Sequence, residues 1–183
     1  MRGSTMQFEH DIHEETFRKV EEYLGEFFEE PYLDPEGGHF YVRYGTTVLE
    51  ISVEPYGSEE AVVTIMSYCV QDVEVEEDLL AGLLELNHQV ALGAFSTVGT
   101  DIFFSHTLFG SSLTARDLLR AVTSVAEIAD DYDDRIVAKY GGQTALERIQ
   151  DTGGPRRRAG LTETDIDADV DSDIEADLDD ADA

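Results

Sequence analysis

The chain has 183 residues, 42% of them hydrophobic, and carries 41 acidic against 12 basic residues for a formal net charge of −29. That length fits one domain with flanking segments, and no apolar run approaches the roughly 20 residues of a membrane-spanning helix. The carboxylate excess argues against binding nucleic-acid phosphates, and the single cysteine, Cys69, excludes an internal disulfide and suits a reducing, cytoplasmic setting.

Met1-Arg2-Gly3-Ser4-Thr5 is followed by no apolar h-region, so no secretory leader is expected, and residues 1–12 read as a polar arm. A helix is predicted over Ile12–Phe28, where Phe17, Val20, Leu24, Phe27 and Phe28 recur at helical spacing with Glu21, Glu22 and Glu26 between them. Pro31, Asp34-Pro35 and Gly37-Gly38 close it. Three strands follow: His39–Tyr44, Thr47–Glu54 and Ala61–Val70. The second alternates, with Leu49, Ile51 and Val53 inward and Glu50, Ser52 and Glu54 outward. The third is apolar on both sides: Val63, Ile65 and Cys69 on one, Val62, Met66, Tyr68 and Val70 on the other. Such a strand is expected to be covered on both faces.

A second helix begins near Glu76, with acidic residues at its positive end. The broad arc of Leu79, Leu80, Leu83, Leu84 and Leu86 predicts a well-buried element. Strands Phe95–Val98 and Asp101–Phe109 are joined at Gly99-Thr100, and Ile102, Phe104 and Leu108 oppose Phe103 and Phe109. Thr114 is a natural N-cap for a helix to about Lys139, which Gly141-Gly142 end. Thr144–Gln150 could add a helical turn. The layout is α-β-β-β-α-β-β-α, an α+β domain over residues 13–150 with helices on one face of a mostly antiparallel five-stranded sheet.

Beyond residue 150 the composition changes. Gly153-Gly154-Pro155-Arg156-Arg157-Arg158 is a linker with a basic knot, and from Asp165 acids fall on nearly every second residue. Residues 151–183 read as a disordered acidic tail. They hold 12 acids and 3 arginines, leaving a net −20 on the rest of the chain. With only two lysines, this pattern predicts a protein from a salt-in halophile: at roughly 1 M salt the Debye length is about 3 Å and like charges barely repel.

The order of elements, the Leu83-Leu84-Glu85-Leu86-Asn87 helix end, Gly93-Ala94-Phe95 before the fourth strand, the polar turn before Asp101-Ile102, the Ser111–Leu119 approach to the last helix and its Asp130-Asp131-Tyr132-Asp133 segment resemble the YbjN family over residues 13–140. That family shares its fold with type III secretion chaperones. The resemblance implies a non-enzymatic, cofactor-free protein, and the secretion chaperones of this fold are dimers that bind extended client segments. The acidic body and tail depart from that pattern and argue against a secretion role.

No local motif competes with that expectation. His10-x-x-His13 has metal-like spacing but lacks further ligands, and reads as a solvated helix start. A nucleophile–base pair drawn from Cys69, His88 and His106 has no supporting motif, and a buried cysteine and structural histidines are expected instead. His39 has no evident partner. Asp165–Asp171 imitates a calcium loop but has Val170 and Ala176 where an EF-hand needs Gly and Glu. Ile166, Val170, Ile174 and Leu178, spaced by four, would allow the tail to fold on a partner. If three helices cover one sheet face, Val62, Met66, Tyr68, Val70, Phe103 and Phe109 are left for a second subunit or a protein or peptide client, unless Tyr32-Leu33, Val90–Phe95 or the termini fold over them. The expected function is that of a chaperone-like or adaptor homodimer with no cofactor and no metal. The alternatives are a stress-related or regulatory structural protein whose tail confers solubility, and a cysteine-dependent enzyme.

Overall fold

The computed structural model describes residues 7–144 apart from 30, 35–36 and 45–46. The arm before residue 7 and the tail, with the expectations placed on them, lie outside the described residues. In chain order the elements are α1 (Asp11–Phe27), β1 (Tyr32–Leu33), β2 (Phe40–Tyr44), β3 (Thr47–Tyr56), β4 (Glu60–Gln71), α2 (Glu77–Gln89), β5 (Ala94–Val98), β6 (Asp101–Phe109), α3 (Ala115–Tyr140) and β7 (Gln143–Thr144).

Local chemistry sets the helix ends. The His10 ring accepts from the His13 N–H at the start of α1, and the Thr114 side chain accepts from the Asp117 N–H at the start of α3. Gly141, at φ 77°, ends α3 in a conformation that a side chain disfavours. The strands run β1-β2-β3-β4-β6-β5, every pair antiparallel, and β7 adds to β4 at Val70 and Gln71. The α2 crossover carries the chain to the far edge, and β6 returns between β5 and β4. At the turn into β5, Gly93 has φ +79°, and a Cβ there would lie 2.6 Å from the Ser105 carbonyl oxygen. Only glycine lets this turn press onto β6.

One sheet face meets all three helices: α3 lies across β3, β4 and β6, α1 across β3 and β4, and α2 against β5. Phe17, Val20 and Leu24 of α1, Leu79 and Leu83 of α2, and Leu118, Val122 and Val125 of α3 interdigitate with Leu49, Ile51, Ile65, Ile102 and Phe104 of the sheet. Each such side chain contributes about 1.5–3 kcal/mol on burial.

The structure corrects the sequence reading in four places. Among the described residues there are seven strands rather than five, because Tyr32–Leu33 and Gln143–Thr144 find partners on β2 and β4. Tyr32-Leu33 therefore extends the sheet edge instead of folding over its face, and Thr144 is extended rather than helical; residues 145–150 lie outside the described residues. A register shift between Tyr68 and Val70 turns Val70 into the core, off the face to which strict alternation assigns it. Finally, α2 buries only Leu79 and Leu83. Leu80 is exposed and Leu84 is 70% exposed, since α2 meets the sheet chiefly at β5.

Candidate functional site

The sheet face away from the helices is built in cross-strand rows. Tyr41 lies opposite Glu50, Glu50 opposite Met66, and Met66 opposite Ser105. Alongside, Tyr68 faces Phe103 and Phe103 faces Ser96, and further along β4 Glu54 faces Val62 and Val62 faces Phe109. A groove of about 460 Å³ opens on this face. Met66, Tyr68 and Phe103 give it an apolar floor, Val98 and Ser96 close one side, and Glu50, Glu54 and Asp101 supply carboxylates. The Tyr68 and Phe103 rings meet edge-on with centroids 4.9 Å apart. This packing leaves Phe103 only 9% exposed, whereas Val62, Met66 and Tyr68 are half-buried.

Of the residues singled out from sequence, Met66, Tyr68 and Phe103 come together in the groove. Val62 and Phe109 share the face but lie beyond the groove, where Phe109 is 59% exposed and packs on Tyr56 with ring centroids 6.2 Å apart. Ser96, Val98 and Asp101 were not anticipated. Their signal was the hairpin itself: a two-residue turn fixes the β5–β6 register and so brings Ser96 and Val98 to the side of Phe103.

Glu50 departs furthest from the sequence reading. Alternation puts it outward, and it is, yet it is only 3% exposed. Its Oε2 accepts hydrogen bonds from the Tyr41 hydroxyl at 3.0 Å and the Tyr68 hydroxyl at 3.1 Å, and its Oε1 lies 3.1 Å from His39 Nδ1. His39 thus has a partner. Burial raises the Glu50 carboxyl, but His39 and the two tyrosine hydroxyls outweigh it and hold the group below the ordinary carboxylate value. Burial, and then the neighbouring carboxylate, push the Tyr41 phenol upward. The network locks Tyr68 in place on the groove floor from the side of β2.

The other candidates resolve into structure. Cys69 is buried, its thiol pushed up by desolvation, so it is a poor nucleophile. His106 lies opposite Ile65, four residues along β4 from Cys69 and so roughly 13 Å away, while His88 is exposed at the end of α2. His13 is not solvated as expected: it is buried, its Nδ1 accepts from the Glu9 N–H and its Nε2 reaches the Val53 carbonyl at 3.2 Å. Both ring nitrogens are therefore committed, Nδ1 to the segment that leads into α1 and Nε2 to β3. Among the described residues no group of three or more His, Cys, Asp or Glu side chains could hold a metal ion, and no helix is long and apolar enough to cross a membrane. A second cleft, of about 290 Å³, lies between α2 and α3. Its Leu79, Leu83 and Ile136 already pack into the core.

Comparisons with known proteins bear on the fold. The fold is similar to one seen in the crystal structure of the ExsC–ExsE complex, with a TM-score of 0.54 and 14% identity over 68% of this chain and 96% of the other. It is also similar to one seen in the structure of the HopA1–SchA chaperone–effector complex, with a TM-score of 0.53 and 11% identity over 68% and 98%. No curated protein matches the chain in sequence. The TY-Chap1 family, described as "T3SS (YopN, CesT) and YbjN peptide-binding chaperone 1", matches residues 14–148, and with most of the described fold inside that match, the chain belongs to this family of peptide-binding chaperones.

Proposed function

We propose that this protein is a non-enzymatic chaperone-like or adaptor protein that holds an extended segment of a protein client in the groove on the outer sheet face. The observation that carries the reading is the groove itself: Met66, Tyr68 and Phe103 form an apolar floor on the face opposite all three helices. Family membership supports it, and Met and Tyr suit an adaptable contact surface. We further propose that it works in the cytoplasm as a homodimer. Leu80 and Leu84, one helical turn apart on the solvent side of α2, support an interface there, well apart from the groove.

The test is binding of a library of unstructured peptides by fluorescence polarisation, comparing wild type with Met66→Glu. A charge on the floor removes an apolar contact of about 1.5–3 kcal/mol, so affinity should fall by roughly tenfold or more while the far-UV spectrum is unchanged. Equal binding by both proteins would reject the groove as the site. Outright unfolding of the variant would make the face part of the interior of one subunit.

A further inference from the structure

We infer that the groove's resident occupant is a segment of this same chain, the Arg156-Arg157-Arg158 run, which docks on it and competes with clients; this rests on the reading of the groove as a binding site for extended segments.

Charge complementarity is the first argument. Glu54 and Asp101 line the groove beside Glu50, whose own carboxylate is already engaged by His39, Tyr41 and Tyr68, and none of the lining residues is basic. The other basic residues among those described stand elsewhere: Arg18 and Lys19 on α1, Arg116, Arg120, Arg135 and Lys139 on α3, and Arg43 on β2 outside the groove. The one concentrated source of positive charge in the sequence is Arg156-Arg157-Arg158. Arginine also suits the floor, because its planar guanidinium stacks on aromatic faces such as Tyr68 and Phe103.

Reach is the second argument. β7 pairs antiparallel with β4, Gln143 opposite Gln71 and Thr144 opposite Val70. The chain at Thr144 is therefore directed back along β4 toward Tyr68, at the groove's end. Eleven residues lie between Thr144 and Arg156, enough to span roughly 40 Å when extended. The groove floor from Tyr68 to Thr64 is only four residues of strand long, roughly 13 Å. Gly153-Gly154-Pro155 immediately before the arginines disfavours helix and suits delivery of an extended segment.

A tethered segment acts at high effective concentration, so individually weak ionic contacts can compete with a free client. The competition should weaken with salt.

The experiment attaches a nitroxide to the full-length chain through Ala159→Cys, Cys69 being buried and unreactive, and reads paramagnetic broadening of backbone amides. The expected result is loss of signal at Tyr68, Ser96, Val98, Asp101 and Phe103. It should be recovered when Arg156→Gln, Arg157→Gln and Arg158→Gln are combined, and should decline between about 0.2 and 2 M salt. Broadening that is absent, spread over the surface or unchanged by the triple substitution would overturn the inference. Broadening of a labelled wild-type chain mixed with unlabelled nitroxide-bearing protein would also overturn it, because the occupant would then be a second copy's tail. In parallel, the triple variant should bind the peptides about threefold more tightly or better. If the broadening fails but peptide binding stays sensitive to Met66→Glu, only the inference about the tail falls. If the peptides never bind the groove, the proposed function falls independently.

Discussion

Replacing Glu50 by glutamine keeps the shape of the most buried carboxylate on the outer sheet face and removes its charge. In the wild type, Oε2 accepts from the Tyr41 and Tyr68 hydroxyls at 3.0 and 3.1 Å, and Oε1 sits 3.1 Å from His39 Nδ1, with the side chain only 4% exposed. Hydrogen bonds to a charged partner contribute about 1.5–3 kcal/mol each and neutral ones about 0.5–1.5. The two weakened tyrosine hydrogen bonds and the lost attraction to His39 thus sum to about 3 kcal/mol. Relief from burying a charge offsets part of this, leaving a net loss of about 1–2 kcal/mol, or a fall in Tm of roughly 4–8 °C for a domain of this size. The dependence on pH is more telling. Because the folded Glu50 carboxyl is held below its ordinary value of 4.5, its stabilisation is present above that value and is lost as pH falls through the lower folded one. The other carboxylates titrate in both proteins, so at acid pH the difference in Tm between wild type and Glu50→Gln reports on this group and its contact with His39. It should shrink as pH falls below about 4.5. Thermal unfolding followed by circular dichroism reads it directly. Equal melting temperatures at pH 7, or a difference that keeps widening below about pH 4.5, would refute the reasoning.

Three further outcomes are expected. Raising KCl from about 0.1 to 3 M should raise the unfolding midpoint, because screening relieves repulsion within a strongly acidic body; a flat midpoint would count against the halophile expectation. Asn87 joins α2 to the sheet edge, its Nδ2 donating to the Phe95 carbonyl at 3.1 Å and its Oδ1 accepting from the Phe95 N–H at 2.6 Å. Asn87→Ala should therefore destabilise by about 2–3 kcal/mol in denaturant titration, and a change under about 0.5 kcal/mol would contradict those contacts. Leu84→Glu should convert the proposed dimer to a folded monomer in light scattering, whereas an unchanged mass would move the interface away from α2.

The elements that sequence resolved best are those whose periodicity is long. α1 and α3 show Phe17, Val20 and Leu24, and Leu118, Val122 and Val125, at helical spacing, and both lie within two residues of their expected ends. β1 and β7 have two residues each, too few for any period, and exist only because β2 and β4 offer free edges. The side assigned to Val70 was wrong because an irregularity one residue earlier resets the alternation, and nothing local at Cys69 announces it. The burial of α2 was overread: five leucines describe a wide arc, but how much of that arc meets the sheet depends on the crossover to β5. At the site, Met66, Tyr68 and Phe103 were legible as apolar residues in excess of one helical layer. Glu50 was not, because alternation gives only its side, while its partners stand nine and eighteen residues along the chain at Tyr41 and Tyr68. Val62 and Phe109 share the predicted face, but which stretch of a face forms the groove is decided by the neighbouring strands, not by the strand that carries the residue.

The clasp of Asn87 on Phe95 has a consequence for how the protein keeps to itself. An open sheet is vulnerable at its two borders, where unpaired amides invite another chain to continue the ladder. Here one border is β5, where the side chain already holds both backbone groups of Phe95, and the other is β1, two residues long. Most acidic proteins also avoid one another by mutual repulsion, but in brine at about 1 M that force fades beyond about 3 Å. Resistance to fibre growth then has to be built from hydrogen bonds and short borders instead of charge. A side-chain amide that imitates the next strand serves at any ionic strength.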